Sequence, residues 1–287
     1  MTPIRPRRSA LYLPAANARA IEKARTLAAD VIILDLEDSV APDMKDEARR
    51  MAVEAVAAGG FGPREVVIRV NGLDTPWAGS DLAAVAEAGP DGILLPKVAS
   101  ADDIESCAEQ VAGRARLWGM IETCQAVFRL DALAGASRAC GLDVWVIGAN
   151  DLVKEMRCRL DEARTPLLPA LSLAIMAARA HGLVVLDGVY NDITNLEGLA
   201  RECAQGAALG FDGKSLIHPS HLETANRLYA PPGDEVAWAR TIVAAYAAPE
   251  NAGRGVIKVE GKMVERLHLA QAERLIAVAD AIGAREA

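Results

Sequence analysis

The sequence predicts a (β/α)8 TIM barrel followed by a C-terminal helical extension. Three observations lead there. Short apolar runs alternate with Ala-rich helical stretches eight times in about 220 residues, near the typical barrel size of about 250. The polar residues of those runs collect at their C-terminal ends, where barrel enzymes keep their chemistry. No GxGxxG turn follows the first run, so the main sign of the competing doubly wound sheet is missing.

The elements follow in order. Ser9 to Pro14 reads as a first strand, Ala18 to Ala29 as a helix, and Val31 to Leu36 as a second strand running into Asp35-Leu36-Glu37-Asp38. Asp43 to Ala58 is helical, with Asp43 as its cap. Glu65 to Val70 is the third strand and carries Arg69 near its end. Asp81 to Ala88 is helical, Gly92 to Leu95 is the fourth strand, and Pro96-Lys97 ends it. After the helix Asp102 to Ala112, the run Leu117 to Ile121 stops in Glu122; after the helix Ala132 to Cys140, the run from Val144 stops in Asp151. A polar insert from Lys154 to Thr165 precedes the helix Leu167 to His181. The seventh strand, Leu183 to Leu186, ends in Asp187; the helix Glu197 to Leu209 leads to an eighth, within Gly210 to Ile217, that contains Lys214. Tyr229-Ala230-Pro231-Pro232-Gly233 then breaks the alternation. Residues 1–229 are therefore expected to form the catalytic barrel. Residues 230–287, read as a helix, the strand Val256 to Val259 and a last helix, form an extension expected to pack on the barrel mouth or a neighbouring subunit.

Composition narrows the function. Of 287 residues 52% are apolar but only 4% aromatic, so the core must be built of Ala, Val, Leu and Ile. A net charge of −8 argues against nucleic acid as the main partner. The five cysteines show no CxxC spacing, the start lacks an apolar h-region, and no apolar run reaches membrane-spanning length, which points to a cytoplasmic protein without a membrane partner.

Two strands that end in carboxylates and follow one another in sequence should bring Glu122 and Asp151 side by side. Such a pair suits Mg²⁺, which takes oxygen ligands and often only one or two carboxylates; each acid could equally cap the helix after its strand. His181, His218, His221 and His268 show no zinc-site spacing. Arg69 offers a forked, permanently charged donor for a carboxylate or an enolate, compatible with a rim ion pair to Glu37 or Asp38. Lys97 is a similar candidate, and Lys214 is expected to answer an inner acid such as Asp35.

Several blocks together resemble the citrate lyase β-subunit-like proteins, relatives of malyl-CoA and citramalyl-CoA lyases. They are Arg8-Ser9 with Pro14, Leu34 to Val40, Ile68 to Gly72, Leu94 to Lys97, Ile121-Glu122-Thr123, Gly148-Ala149-Asn150-Asp151-Leu152, Gly188 to Asp192, and Gly210 to Pro219, in family order across nearly the whole chain. The resemblance implies a Mg²⁺-dependent carbon–carbon lyase that joins or separates an acyl-CoA and a small 2-oxo acid. It places the metal on Glu122 and Asp151 and an oxygen-binding arginine at Arg69; beside these, Lys97, Ala149 and Asn150 are expected substrate contacts, and Glu37, Asp38 and Glu265 join Arg69 in the expected catalytic set. It further implies a trimer or hexamer in which the C-terminal segment completes a neighbour's site.

The chain departs from the family twice. Ala15-Ala16 stands where many members have a glycine. Glu265 follows Gly261-Lys262-Met263-Val264, where the lyases carry an aspartate that exchanges a proton with the acetyl carbon. Proton transfer is sensitive to geometry on the scale of one methylene. Alternatives to the lyase are therefore a malyl-CoA-type thioesterase, a carrier-protein-dependent citryl lyase subunit, and an aldolase acting on free oxo acids.

Overall fold

Eight parallel strands close into a barrel in sequence order, β1 through β8, in a computed structural model that describes residues 4–286. β1 (Ser9–Pro14) leads to α1 (Ala18–Ala24), β2 (Val31–Asp35) to α2 (Lys45–Ala58), β3 (Glu65–Arg69) to α3 (Ala78–Ala88), and β4 (Gly92–Leu95) to α4 (Ala101–Val111). β5 (Arg116–Ile121) is followed by three short helices, α5 (Cys124–Val127), α6 (Leu130–Gly135) and α7 (Ser137–Cys140). β6 (Leu142–Ile147) precedes α8 (Ala149–Met156) and α9 (Leu168–His181); β7 (Val184–Asp187), α10 (Leu196–Leu209), β8 (Gly213–Leu216) and α11 (Leu222–Leu228) complete the barrel.

The alternating pleat sorts each strand into two faces. Ala10, Val31, Ile33, Val67, Leu94, Trp118, Met120, Val144, Val146 and Leu186 form a buried cluster inside the barrel. Their neighbours, including Leu11, Ile32, Leu34, Ile68, Ile93, Ile147 and Leu216, belong to a larger cluster shared with the helices. Gly92 is needed inside, because a Cβ there would come within 2.8 Å of the Trp118 indole nitrogen. Below the site, Arg7 lies 5.2 Å from the Trp118 ring and bonds Glu65 and Asp143 at 2.7 Å each.

Several expected boundaries shift. The first helix stops at Ala24 rather than Ala29. Asp43 lies within a 3-10 turn, Pro42–Met44, that precedes α2, instead of capping a helix. The helix expected over Ala132 to Cys140 is broken into two at Ala136. The strand expected to run to Asp151 ends at Ile147, since Gly148 already caps α8 and Asp151 sits in that helix's first turn.

Parity also corrects Lys214. It shares a face with Leu216, outside the barrel, whereas Asp35 shares the inner face with Ile33. Lys214 therefore answers Asp187 at 3.1 Å and Glu202 at 2.7 Å, and also donates to the Gly188 carbonyl. Arg164 completes the cluster, 2.7 Å from Asp187. Burial alone would raise the Asp187 carboxyl, but the Lys214 and Arg164 charges outweigh it and hold the group below the ordinary aspartate range.

The second compact unit comprises residues 4–6 and 230–286, while Arg7–Tyr229 form the first. In it α12 (Gly233–Ala247) is followed by β9 (Val256–Val259), β10 (Lys262–Glu265) and α13 (Arg266–Glu286). The sequence anticipates β9 but not β10. The hairpin turns at Glu260-Gly261, with φ of 46° and 82°, the two positive values that a tight right-twisted hairpin requires. Ala239, Ile242, Ile257, Val259, Val264 and Ala272 form this unit's own core. Among the described residues no helix is long and apolar enough to cross a membrane.

Removing one member of a buried ion cluster strands its partners. Lys214→Met is expected to lower stability by about 3–5 kcal/mol in urea unfolding. Asp187 contributes stability above the ordinary aspartate pKa of about 3.9, and loses it as pH falls through its lower folded value. In the variant, acid unfolding should begin at higher pH.

Candidate active site

The C-terminal ends of β1, β2, β3, β5 and β6 enclose a cavity of about 300 Å³ lined by Tyr12, Asp35, Asp38, Arg69, Met120, Glu122 and the Gly148-Ala149-Asn150-Asp151 turn, among others. Tyr12, Asp35, Arg69, Met120 and Glu122 reach it because they continue the inward parity of their strands.

Arg69 is held by three carboxylates. Its Nε and Nη2 donate to the two oxygens of Asp35 at 2.6 and 2.8 Å, and Nη1 lies 2.8 Å from Glu37 and 3.8 Å from Asp38. The sequence expects a rim partner in Glu37 or Asp38; the dominant partner is Asp35, one register step away on β2. Burial would raise the Asp35 carboxyl, yet the bidentate guanidinium wins and lowers it. The Tyr12 ring lies 4.9 Å from the guanidinium carbon. Asp35 has its remaining bonding capacity filled by the backbone N–H groups of Glu37 and Ser39.

Lys97 is committed to the protein at both ends. It adopts φ of +52°, a left-handed conformation that costs a non-glycine residue about 1–2 kcal/mol. In that conformation its backbone N–H donates to Glu122 Oε1 at 2.7 Å, while its ammonium donates to Glu37 at 2.9 Å. Burial raises the Glu37 carboxyl against the opposing charges of Arg69 and Lys97. Lys97 and Glu37 thus form a wall behind the cavity.

Glu122 is 2% exposed and, among the described residues, is bonded to no cationic side chain. Burial, and then the charge of Glu37, push its carboxyl up to about 7, with Asp151 adding to the same effect. Gly148 lets it fit, because a Cβ at that position would overlap the Glu122 carboxylate. Asp151 reaches the cavity from the first turn of α8, whose leading amides at Ala149 and Asn150 have no intrahelical acceptor and face an anion favourably. Asn150 exchanges side-chain hydrogen bonds with Asn191 on the β7 loop. Gly188 allows that loop to approach, since a Cβ there would lie 2.9 Å from the Ala149 methyl.

The rim therefore gathers Asp35, Glu37, Asp38, Glu122 and Asp151 against Arg69, Lys97 and the buried Lys45, leaving an excess of negative charge. A hard divalent cation beside Glu122 and Asp151 would offset it. No group of three or more His, Cys, Asp and Glu among the described residues could hold a metal; a site of two carboxylates completed by water and substrate oxygens fits that donor set.

Of the residues expected from sequence, Arg69, Asp38, Glu122, Ala149, Asn150 and Asp151 line one cavity, with Glu37 and Lys97 behind it. Asp187, expected at the same rim, faces the helices instead. Glu265 ends β10 in the C-terminal unit, where its backbone N–H donates to His268 Nδ1 at 2.9 Å. Sequence reasoning missed Tyr12 and Gly148. Counting alternate residues back from Pro14 and forward from Val146 would have placed both on the inner face.

These features describe an enzyme site at the mouth of a barrel, and the chain belongs to the HpcH/HpaI aldolase/citrate lyase family, whose model matches residues 8–219. It is 46% identical over 279 residues to a (3S)-malyl-CoA thioesterase of Cereibacter sphaeroides (strain KD131), covering 97% of this chain and 96% of that protein. It is 37% identical over 293 residues to citrate lyase subunit beta of Escherichia coli (strain K12), covering 98% and 96%. Among solved structures, protein CitE of Mycobacterium tuberculosis in complex with magnesium, acetoacetate and coenzyme A superposes with a TM-score of 0.76 at 31% identity, over 95% of this chain and 97% of that one.

Gly148→Ala is expected to displace Glu122 and weaken divalent-cation binding about 10–100-fold, measured by calorimetric titration, with the melting temperature reporting that the barrel survives.

Proposed function

We propose that the chain is a Mg²⁺-dependent enzyme acting on a 3-hydroxyacyl-CoA thioester of the malyl-CoA type, and that it releases free CoA by hydrolysis. The observation that carries the reading is the buried Glu122, bonded among the described residues to no cationic side chain and lining, with Asp151, the cavity that also holds Arg69. The identity to malyl-CoA thioesterases, 46% against 37% for the citrate lyase subunit, supports the hydrolytic outcome.

Glu122 and Asp151 would hold the ion. Bound there, Mg²⁺ supplies a Lewis acid and template for the acyl group's carboxylate and hydroxyl oxygens. The α8 amides at Ala149 and Asn150 orient that carboxylate. Arg69, fixed by Asp35 and Glu37, stabilises negative charge that develops on the thioester oxygen. Rigid anchoring matters, because a donor already in place costs no reorganisation as charge forms. Glu37 and Lys97 act through others, one bracing Arg69 and one bracing Glu122.

The second reading is the carbon–carbon lyase, which cleaves the same thioester to a 2-oxo acid and an acyl-CoA. The family's citrate lyase members and the neighbour that holds magnesium, acetoacetate and coenzyme A favour it. Glu265 bears on the choice, since its extra methylene disfavours proton exchange at the acetyl carbon.

Purified protein with Mg²⁺ and malyl-CoA is expected to yield free malate and CoA; acetyl-CoA and glyoxylate as initial products would establish the lyase instead. Glu122→Ala and Asp151→Ala should each lose at least about 100-fold in Mg²⁺-dependent turnover. Glu265→Asp should raise the share of acetyl-CoA among the products.

A further inference from the structure

Side-chain donors at the cavity are almost all committed. Arg69 gives Nε and Nη2 to Asp35 and Nη1 to Glu37, and Nη1 also points at the weakly accepting Met120 sulfur at 3.7 Å, with a hydrogen that stays open to a substrate. Ser39 bonds Asp35, Ser215 donates to the Asp187 carbonyl, and Asn150 donates to Asn191. The Tyr12 hydroxyl is different. It lines the cavity from the inner face of β1, and its partner is the Met120 thioether at 3.8 Å, a weak acceptor that leaves a phenol's hydrogen-bonding capacity largely unused.

We propose that the Tyr12 hydroxyl donates to the thioester carbonyl oxygen of the acyl-CoA and, with Arg69, completes the donor pair that stabilises charge on that oxygen. The inference rests on the thioester reading above but not on which bond breaks. Hydrolysis and carbon–carbon cleavage both load that same oxygen with negative charge, as a tetrahedral oxyanion in one case and an enolate in the other.

Three features fit the role. The substrate's carboxylate and hydroxyl are accounted for by Glu122, Asp151 and the start of α8, all carried by β5 and β6. Tyr12 and Arg69 come from β1 and β3, with the guanidinium 4.9 Å from the phenol ring. The Tyr12 hydroxyl and Arg69 Nη1 lie 3.8 and 3.7 Å from the same Met120 sulfur, so the two donors converge on one point. Burial raises the phenol pKa well above its ordinary value, against the opposing charge of Arg69 and with help from Asp35, Glu122 and Glu37. Tyr12 therefore keeps its proton through the neutral range and offers it as a donor. An uncharged donor also costs far less to bury than a further ion would in a cavity that already holds several.

Tyr12→Phe removes the oxygen alone and keeps the ring under Arg69. The variant is expected to keep the wild-type melting temperature and Mg²⁺ affinity, to lose about 100-fold in kcat on malyl-CoA, and to hold KM within about twofold. A second measurement needs no turnover: calorimetric affinity for acetyl-CoA relative to CoA, with Mg²⁺ present. Wild type should prefer acetyl-CoA by about fivefold, and Tyr12→Phe should lose that preference. Retention of kcat within twofold, or an acetyl-CoA preference that is absent from wild type or unchanged in the variant, overturns the assignment. If wild type turns over no 3-hydroxyacyl-CoA but shows an acetyl-CoA preference that Tyr12→Phe abolishes, the reaction is misassigned and the role of Tyr12 stands.

Discussion

The structure depends on one constraint, the two-residue pleat of eight parallel strands bent into a closed ring. Each strand shows alternate residues to the barrel interior and to the surrounding helices, so the parity of a side chain decides its fate before any chemistry enters. Tyr12, Asp35, Arg69, Met120 and Glu122 continue the inner rows and meet at the mouth. Asp187 and Lys214 fall on the outer rows and neutralise one another between sheet and helices. The same residue types at neighbouring strand ends therefore become either a working site or a buried structural joint.

At the mouth, charge is arranged to leave one carboxylate wanting. Arg69 is spent on Asp35 and Glu37, and Lys97 on Glu37. Glu122 receives only an amide, from a lysine backbone held in the left-handed region. Burial and then the Glu37 charge raise its carboxyl to about 7, and neither the Lys97 amide nor the Arg69 charge offsets them. Asp151, delivered by the first turn of α8, brings a second carboxylate to the cavity, and under the proposed function the pair leaves a bound ion's other positions to water and substrate. Open coordination is what a metal needs if substrate oxygens are to join it.

Much of this was legible in the sequence. The eight alternations gave the barrel, and Glu122 stood out because an apolar run ended in it. Asp151 reaches the cavity by a different element from the one its apolar run predicts: the strand ends at Ile147, and a helix carries the carboxylate. Residue type without parity points Lys214 at Asp35, whereas its outer row pairs it with Asp187, and nothing in the residue type of Lys97 announces that its backbone N–H meets Glu122. Tyr12 was silent for a different reason. One aromatic residue in an apolar strand looks like core until the register shows which way it faces. β10 was missed because its four residues, Lys262–Glu265, carry only one buried side chain, Val264, to mark them.

The two proposed reactions share a substrate class and a thioester oxygen on which negative charge develops, and differ in the bond that breaks, C–S in hydrolysis and C–C in the lyase. Both proposed reactions place a divalent cation between Glu122 and Asp151. Crystals soaked in Mn²⁺, an oxygen-seeking stand-in for Mg²⁺, would locate it by anomalous scattering. A single strong peak is expected within bonding distance of both carboxylates, about 2.0–2.2 Å, and it should vanish in Glu122→Ala. A peak elsewhere on the barrel, or one that survives that substitution, would contradict the assignment.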